Sequence, residues 1–153
     1  MLLISMQEAR SQEARSNPVA TFHRLSAEQR WLLLRAACVL STASAIVALL
    51  PFRRAVSFGS VTRRKNRGST VSDCVWAVKA AAKRLPWRTK CIEQGLATQR
   101  MLRQTGVDAV LHYGARHDPH SGRLEAHVWV SVVGETIIGG EDASGFAEIA
   151  AYP

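Results

Sequence analysis

No Cys-x-x-Cys pair occurs in the chain, and cysteine itself is scarce: Cys38, Cys74 and Cys91 are three in 153 residues, an odd number at wide spacings. The pattern excludes a disulfide framework, points to a reducing compartment, and leaves a structural zinc site without its usual ligand pairs. The expected location is cytoplasmic. No basic start followed by an apolar core and a small-residue cleavage site marks a secretory signal. Helix-turn-helix, zinc-finger and RNP signatures are absent as well. Negative charge is in short supply, with 12 Asp and Glu against 20 Lys and Arg, a balance of +8. An anionic membrane surface, nucleic acid or an acidic peptide would suit that excess. Its densest part, "RRAVSFGSVTRRKNRG" at 53–68, carries no recognisable docking motif and reads as a solvated basic linker over 53–69, so no nucleic-acid partner is expected.

Present in quantity is apolar side chain, 47% of the sequence against 21% charged. That is the composition of a folded protein, of a length to hold one domain with a real core. Residues 1–24, with the tandem "QEARSQEARS", lack core periodicity and read as a disordered leader to a single domain over 25–153. The front part, 25–52, opens on Ser26 and Gln29 in capping-box spacing. From Trp31 to Leu50 the only charge is Arg35. Such a run approaches membrane-span length, but Arg35 and several Ser and Thr favour one or two soluble helices packed on the domain. Membrane association is weighed and not favoured.

A second helix is expected from Thr70 and Asp73, again in capping-box spacing. Val71, Cys74, Val75, Val78, Ala82 and Leu85 form one stripe, and Pro86 stops it. Cys74 on that stripe reads as a buried small hydrophobe. A third helix, capped at Thr89 and ended by Gly106, carries Ile92, Leu96, Gln99 and Leu102 on one side. Cys91 falls in its first turn, where unpaired N–H groups and the positive end of the helix dipole favour a thiolate. The strand "VDAVLHY" follows. The spacing of His112, His117 and His120 around Asp118-Pro119 is that of a strand connection; no metal and no cofactor is expected.

"EAHVWVSVVGETIIGGED", 125–142, reads as a hairpin. Ala126, Val128, Val130 and Val132 face a core, while His127 and Trp129 share the other face. With Val133 and Gly134 as the loop, an unbroken ladder sets His127 opposite Gly140 and makes Asp142 its diagonal neighbour; a β-bulge would favour Glu141 instead. Helices, a cysteine-bearing helix and then three antiparallel strands with a histidine and an acid give an α+β chain in the order of a papain-like or transglutaminase-like core. Such a core brings a thiolate at a helix N-terminus to an imidazole on a sheet.

The segments "LSAEQRWLLLRA", "LLPFRR", "WAVKAAAKRLPWRTKCIEQGLATQRMLRQTG", "EAHVWVSVVGE" and "IIGGEDASGFAEIAAYP" together resemble the lasso-peptide leader peptidases. These match the C-terminal domain of the microcin-processing protein and belong to the transglutaminase-like superfamily. The resemblance implies a bacterial cysteine protease that removes the leader from a ribosomally made precursor peptide. A separate ATP-dependent cyclase then closes the macrolactam. It implies Cys91 as nucleophile, His127 as base and a nearby carboxylate, for which strand parity favours Asp142, as the orienting acid. Trp129 is expected as a wall of the site, and Trp87 either as part of the entry groove or as a core residue. His127-Val128-Trp129 stands where many family sequences have His-Ala-Trp, a mild change on the core face. The chain resembles the split type that relies on a separate leader-recognition protein. Two other readings compete: an amide hydrolase or acyltransferase of the same fold with another substrate, and a non-enzymatic membrane- or nucleic-acid-associated accessory protein using residues 31–67.

Overall fold

The computed structural model describes residues 25–61, 69–118, 120 and 122–153. The tandem leader and residues 62–68 of the basic stretch therefore lie outside the described residues. Helix α1, Ala27–Leu49, is one continuous helix; Ser26 Oγ accepts from the Gln29 N–H at 3.1 Å, while Gln29 Oε1 accepts from the Ser26 N–H at 3.0 Å. Both capping-box bonds satisfy donors that the first turn would otherwise leave unpaired. By length and apolar composition α1 could cross a membrane, yet it has a packed face of Leu32, Leu33, Ala36, Leu40 and Ala43. Arg35, the one charge between Trp31 and Leu50, donates to Gln104 Oε1 at 2.6 Å. Residues expected to open a solvated linker are instead helical: α2, Phe52–Ala55, runs into a 3-10 turn at Val56–Phe58, with Ala55 and Val56 buried. Arg100 donates to the Phe58 carbonyl at 2.8 Å, and its guanidinium lies 4.3 Å from the Phe58 ring centroid.

Helix α3, Val71–Ala82, is boxed by Thr70 and Asp73 as the spacing predicts, and buries Cys74, Ala77, Val78 and Ala81. The Thr70 hydroxyl, with its backbone N–H, holds the Asp73 carboxyl below the usual carboxylate range. Helix α4, Cys91–Gln104, begins one residue later than a Thr89 cap would place it, with Lys90 at the cap. At its other end Gly106 takes φ +90°. The Val107 N–H bonds to the Leu102 carbonyl and the Gly106 N–H to the Arg103 carbonyl, which is the Schellman arrangement that only a residue free to adopt positive φ closes without strain.

Four strands form an antiparallel sheet of order β3-β2-β1-β4 among the described residues: β1 Ala109–His117, β2 Leu124–Val132, β3 Glu135–Ile138 and β4 Ala147–Tyr152. One strand more is present than the three expected. The α4 helix packs on β1 and β2, with α1 and α3 against it. The approach is close at Gly95, where an added Cβ would meet Val128 Cγ1 at 2.8 Å and Leu111 Cδ1 at 3.0 Å. Gln99 fixes the far end of the contact by donating to the carbonyls of Tyr152 at 2.7 Å and Ala109 at 3.2 Å.

The hairpin corrects the unbroken ladder. Val133 (φ 51°) and Gly134 (φ 80°) do form the two-residue primed turn, and Val132 pairs with Glu135. Ser131 then pairs with Thr136 but Val130 with Ile138, so Ile137 is an extra, bulged residue. The strand stops at Ile138, Gly139 turns the chain at φ +77°, and a short helix α5 covers Gly140–Ala143.

Packing of α1 on the domain has a measurable consequence. Leu40 is fully buried and Leu34 is 58% exposed. Leu40→Ala is expected to lower unfolding stability by about 2–5 kcal/mol, the cost of a buried cavity, and Leu34→Ala by no more than about 0.5 kcal/mol. Chemical denaturation of both variants checks this. Equal effects would mean that α1 does not present the Leu40 face to the core.

Candidate active site

Cys91 is the first residue of α4, at the end of the helix that faces β2. The N–H groups of its first turn have no partner within the helix. The N-terminus is anchored from beneath by a polar chain: Trp87 Nε1 donates to Ser44 Oγ at 3.2 Å, Ser44 donates to Glu93 Oε2 at 3.1 Å, and the same Oε2 accepts the Lys90 N–H at 3.0 Å. Glu93 is buried, so its charge is satisfied by these donors and by the helix end itself. Trp87 thus ties the turn before Cys91 to α1, and is not among the residues lining the cleft itself.

Cys91 and His127 line one cleft of about 210 Å³, together with Gln94, Gly95, Gly139 and Glu141. Of the three cysteines, Cys91 alone combines partial exposure with that cleft. Cys74 is fully buried, and burial pushes its thiol up to about 11, which keeps it protonated and inert. Cys38 is exposed on α1.

His127 is held on three sides. Its ring lies 6.3 Å from that of Trp129 at 20° and 5.1 Å from that of Phe146 at 33°. Trp129, expected as a wall of the site, is buried and does not line the cleft; it backs the imidazole. The third contact is polar, between His127 Nε2 and the Gly139 carbonyl oxygen at 2.8 Å. A carbonyl only accepts, so Nε2 carries the proton and Nδ1 is left as the basic nitrogen. His112 pairs directly with Trp129 in the β1–β2 ladder, two positions from Gly114, the partner of His127; its ring stacks with that of Trp129 at 5.5 Å and 5°, and its Nε2 lies 2.7 Å from Ser131 Oγ.

For the orienting acid, the bulge at Ile137 removes the register argument that favoured Asp142. The Asp142 side chain lies outside the described residues, while Glu141 lines the cleft with Cys91 and His127. Gln94 and Gly139 escaped the sequence reading. Gln94 follows Cys91 by three residues, which places it one turn along the same helix face; its side-chain amide donates to Thr89 Oγ1 at 3.1 Å. Gly139 contributes a main-chain atom, which no side-chain pattern announces.

Helix-first cysteine, imidazole on the adjacent strand and a four-stranded antiparallel sheet recur in one group of proteins, and a family model for it matches residues 34–151. The chain belongs to the transglutaminase-like superfamily. This superfamily is built on cysteine-based hydrolases and transferases of papain-like architecture, and the α+β fold agrees with it. Comparison with curated proteins and with solved structures returns no match. Cysteine chemistry is thus the superfamily's common ground, and substrate has to be argued from the site.

Proposed function

We propose that the protein is a leader peptidase of lasso-peptide biosynthesis, a cysteine protease acting in the bacterial cytoplasm on a ribosomally made precursor. The observation that carries the reading is the shared cleft of Cys91 and His127 within a transglutaminase-like fold. The "EAHVWVSVVGE" and "RTKCIEQGLATQRM" segments that resemble the leader peptidases are the ones that supply it. His127 Nδ1 takes the Cys91 thiol proton, and the thiolate attacks the carbonyl carbon at the end of the leader. The C–N bond breaks as the imidazolium returns the proton to the departing amine, and water, deprotonated by the same nitrogen, hydrolyses the thioester. First-turn N–H groups of α4 stabilise the oxyanion. The freed amine is the substrate of a separate ATP-dependent macrolactam cyclase.

The leader is presented by a separate recognition protein. Adding that protein to the isolated peptidase is expected to raise precursor cleavage at least about tenfold, equivalent to about 1.4 kcal/mol. Leader release followed by mass spectrometry tests both levels of the reading. No release under either condition refutes the leader-peptidase role, and equal rates refute the dependence on a partner. Hydrolysis or acyl transfer on another amide is the alternative within the same superfamily.

A further inference from the structure

The cleft that holds Cys91 does not end at Gln94. Lys79, Gln94 and Glu141 line both this cleft and an adjoining hollow of about 430 Å³, whose other walls include Lys83, Arg88 and Thr89. Three cations, with one carboxylate, therefore line a space beside the nucleophile. All three are exposed, and none is ion-paired with another described residue.

Helix ends account for part of this charge and not for the rest. Lys79 lies in the last turn of α3 and Lys83 at its cap, where the negative end of the dipole favours cations. Arg88 and Lys90 lie at the opposite kind of terminus, just before α4 and at its cap, where the dipole favours anions. Lys79 and Lys83 are also four residues apart on one helix face, a spacing at which like charges repel. Local preferences broken together around an open hollow indicate that a ligand's charge completes the set.

We propose that this hollow is a substrate subsite that takes a carboxylate of the peptide, within a few residues of the scissile bond. The proposal rests on the peptidase reading and adds the substrate's chemistry: an acidic side chain or a free C-terminal carboxylate, drawn in by Lys79, Lys83 and Arg88. The basic rim steers that anion to the thiol, and because the cations are exposed the effect is screened by salt.

Alkylation of Cys91 tests the subsite without any peptide. In a Cys38→Ser background, peptide mapping by mass spectrometry follows Cys91 labelling by iodoacetate, an anion, and iodoacetamide, its neutral analogue. In Lys83→Glu/Arg88→Glu the iodoacetate-to-iodoacetamide rate ratio is expected to fall about tenfold, the ratio cancelling any change in thiol reactivity common to both reagents. The unsubstituted ratio should also fall as salt is raised. Circular dichroism checks folding, and Lys83→Gln/Arg88→Gln, with a smaller drop expected, replaces the double variant if it does not fold. A ratio unaffected by either substitution or salt overturns the subsite, whatever precursor cleavage says of the peptidase reading. Conversely, a ratio that responds as expected in a protein that cleaves no precursor strikes the peptidase reading alone. Precursors with single Asp→Asn or Glu→Gln changes, or an amidated C-terminus, then identify which carboxylate is seated, by a rise in KM for one of them; no rise for any of them overturns the proposal.

Discussion

Cys91→Ala is expected to lower precursor cleavage by about 10³-fold or more while leaving the fold intact, since removing the nucleophile of a covalent mechanism removes the pathway itself. Cys74→Ala is the matched control. It deletes a thiol that sits in the packed face of α3, so it should lower stability modestly and leave turnover near normal. Cys38, exposed on α1, should tolerate replacement in both respects. Turnover with precursor and recognition protein, beside thermal melts, separates the three. Full activity in the Cys91 variant would end the cysteine-protease reading, and loss of activity in all three with unchanged melts would mean that position does not sort these thiols.

That sorting was legible in the sequence because it depends on local signals. The capping boxes at Ser26 and Thr70, the stop at Gly106 and the place of Cys91 in a first helical turn are each written within a few consecutive residues, and each is where the structure has it. Strand β4 was not legible. "AEIAAY" is mostly exposed and pairs on one side only, so it shows no apolar alternation. The helical turns over Phe52–Phe58 were hidden by their arginines, whose side chains point outward while Ala55 and Val56 carry the packing. In the hairpin, the two-residue turn followed from spacing, but the bulge at Ile137 did not. "ETIIGG" is consistent with either register, and the choice is made by the tight passage of Gly139 over the β2 backbone. The site divides the same way: Cys91 and His127 carry local signatures, whereas Lys79, Gln94 and Gly139 join them only through the packing of α3, α4 and the β3 exit.

The passage at Gly139 leads to the second large effect. Its carbonyl holds His127 Nε2 at 2.8 Å, its φ is +77°, and an added Cβ would stand 2.6 Å from the Val128 carbonyl oxygen and 3.1 Å from Trp129 Cα. Backbone cannot yield as a flexible side chain would, so Gly139→Val must move the turn and with it the acceptor that fixes the imidazole. A displacement of about 1 Å in a catalytic group costs on the order of 10²-fold in rate, and that is the expected loss in kcat, with KM little changed. Glu141→Gln, which removes a negative charge from the cleft but leaves the carbonyl in place, should cost about tenfold, equivalent to about 1.4 kcal/mol of support for the imidazolium. Asp142→Asn should stay near normal, because the ladder that would have aimed it at His127 is broken at Ile137. The comparison is one of kcat for three variants shown to be folded. Should Asp142→Asn prove the most damaging, a side-chain carboxylate and not the Gly139 carbonyl orients the base. Should Gly139→Val be harmless, the carbonyl contact is incidental and the Trp129 and Phe146 rings suffice to hold His127 in line with Cys91.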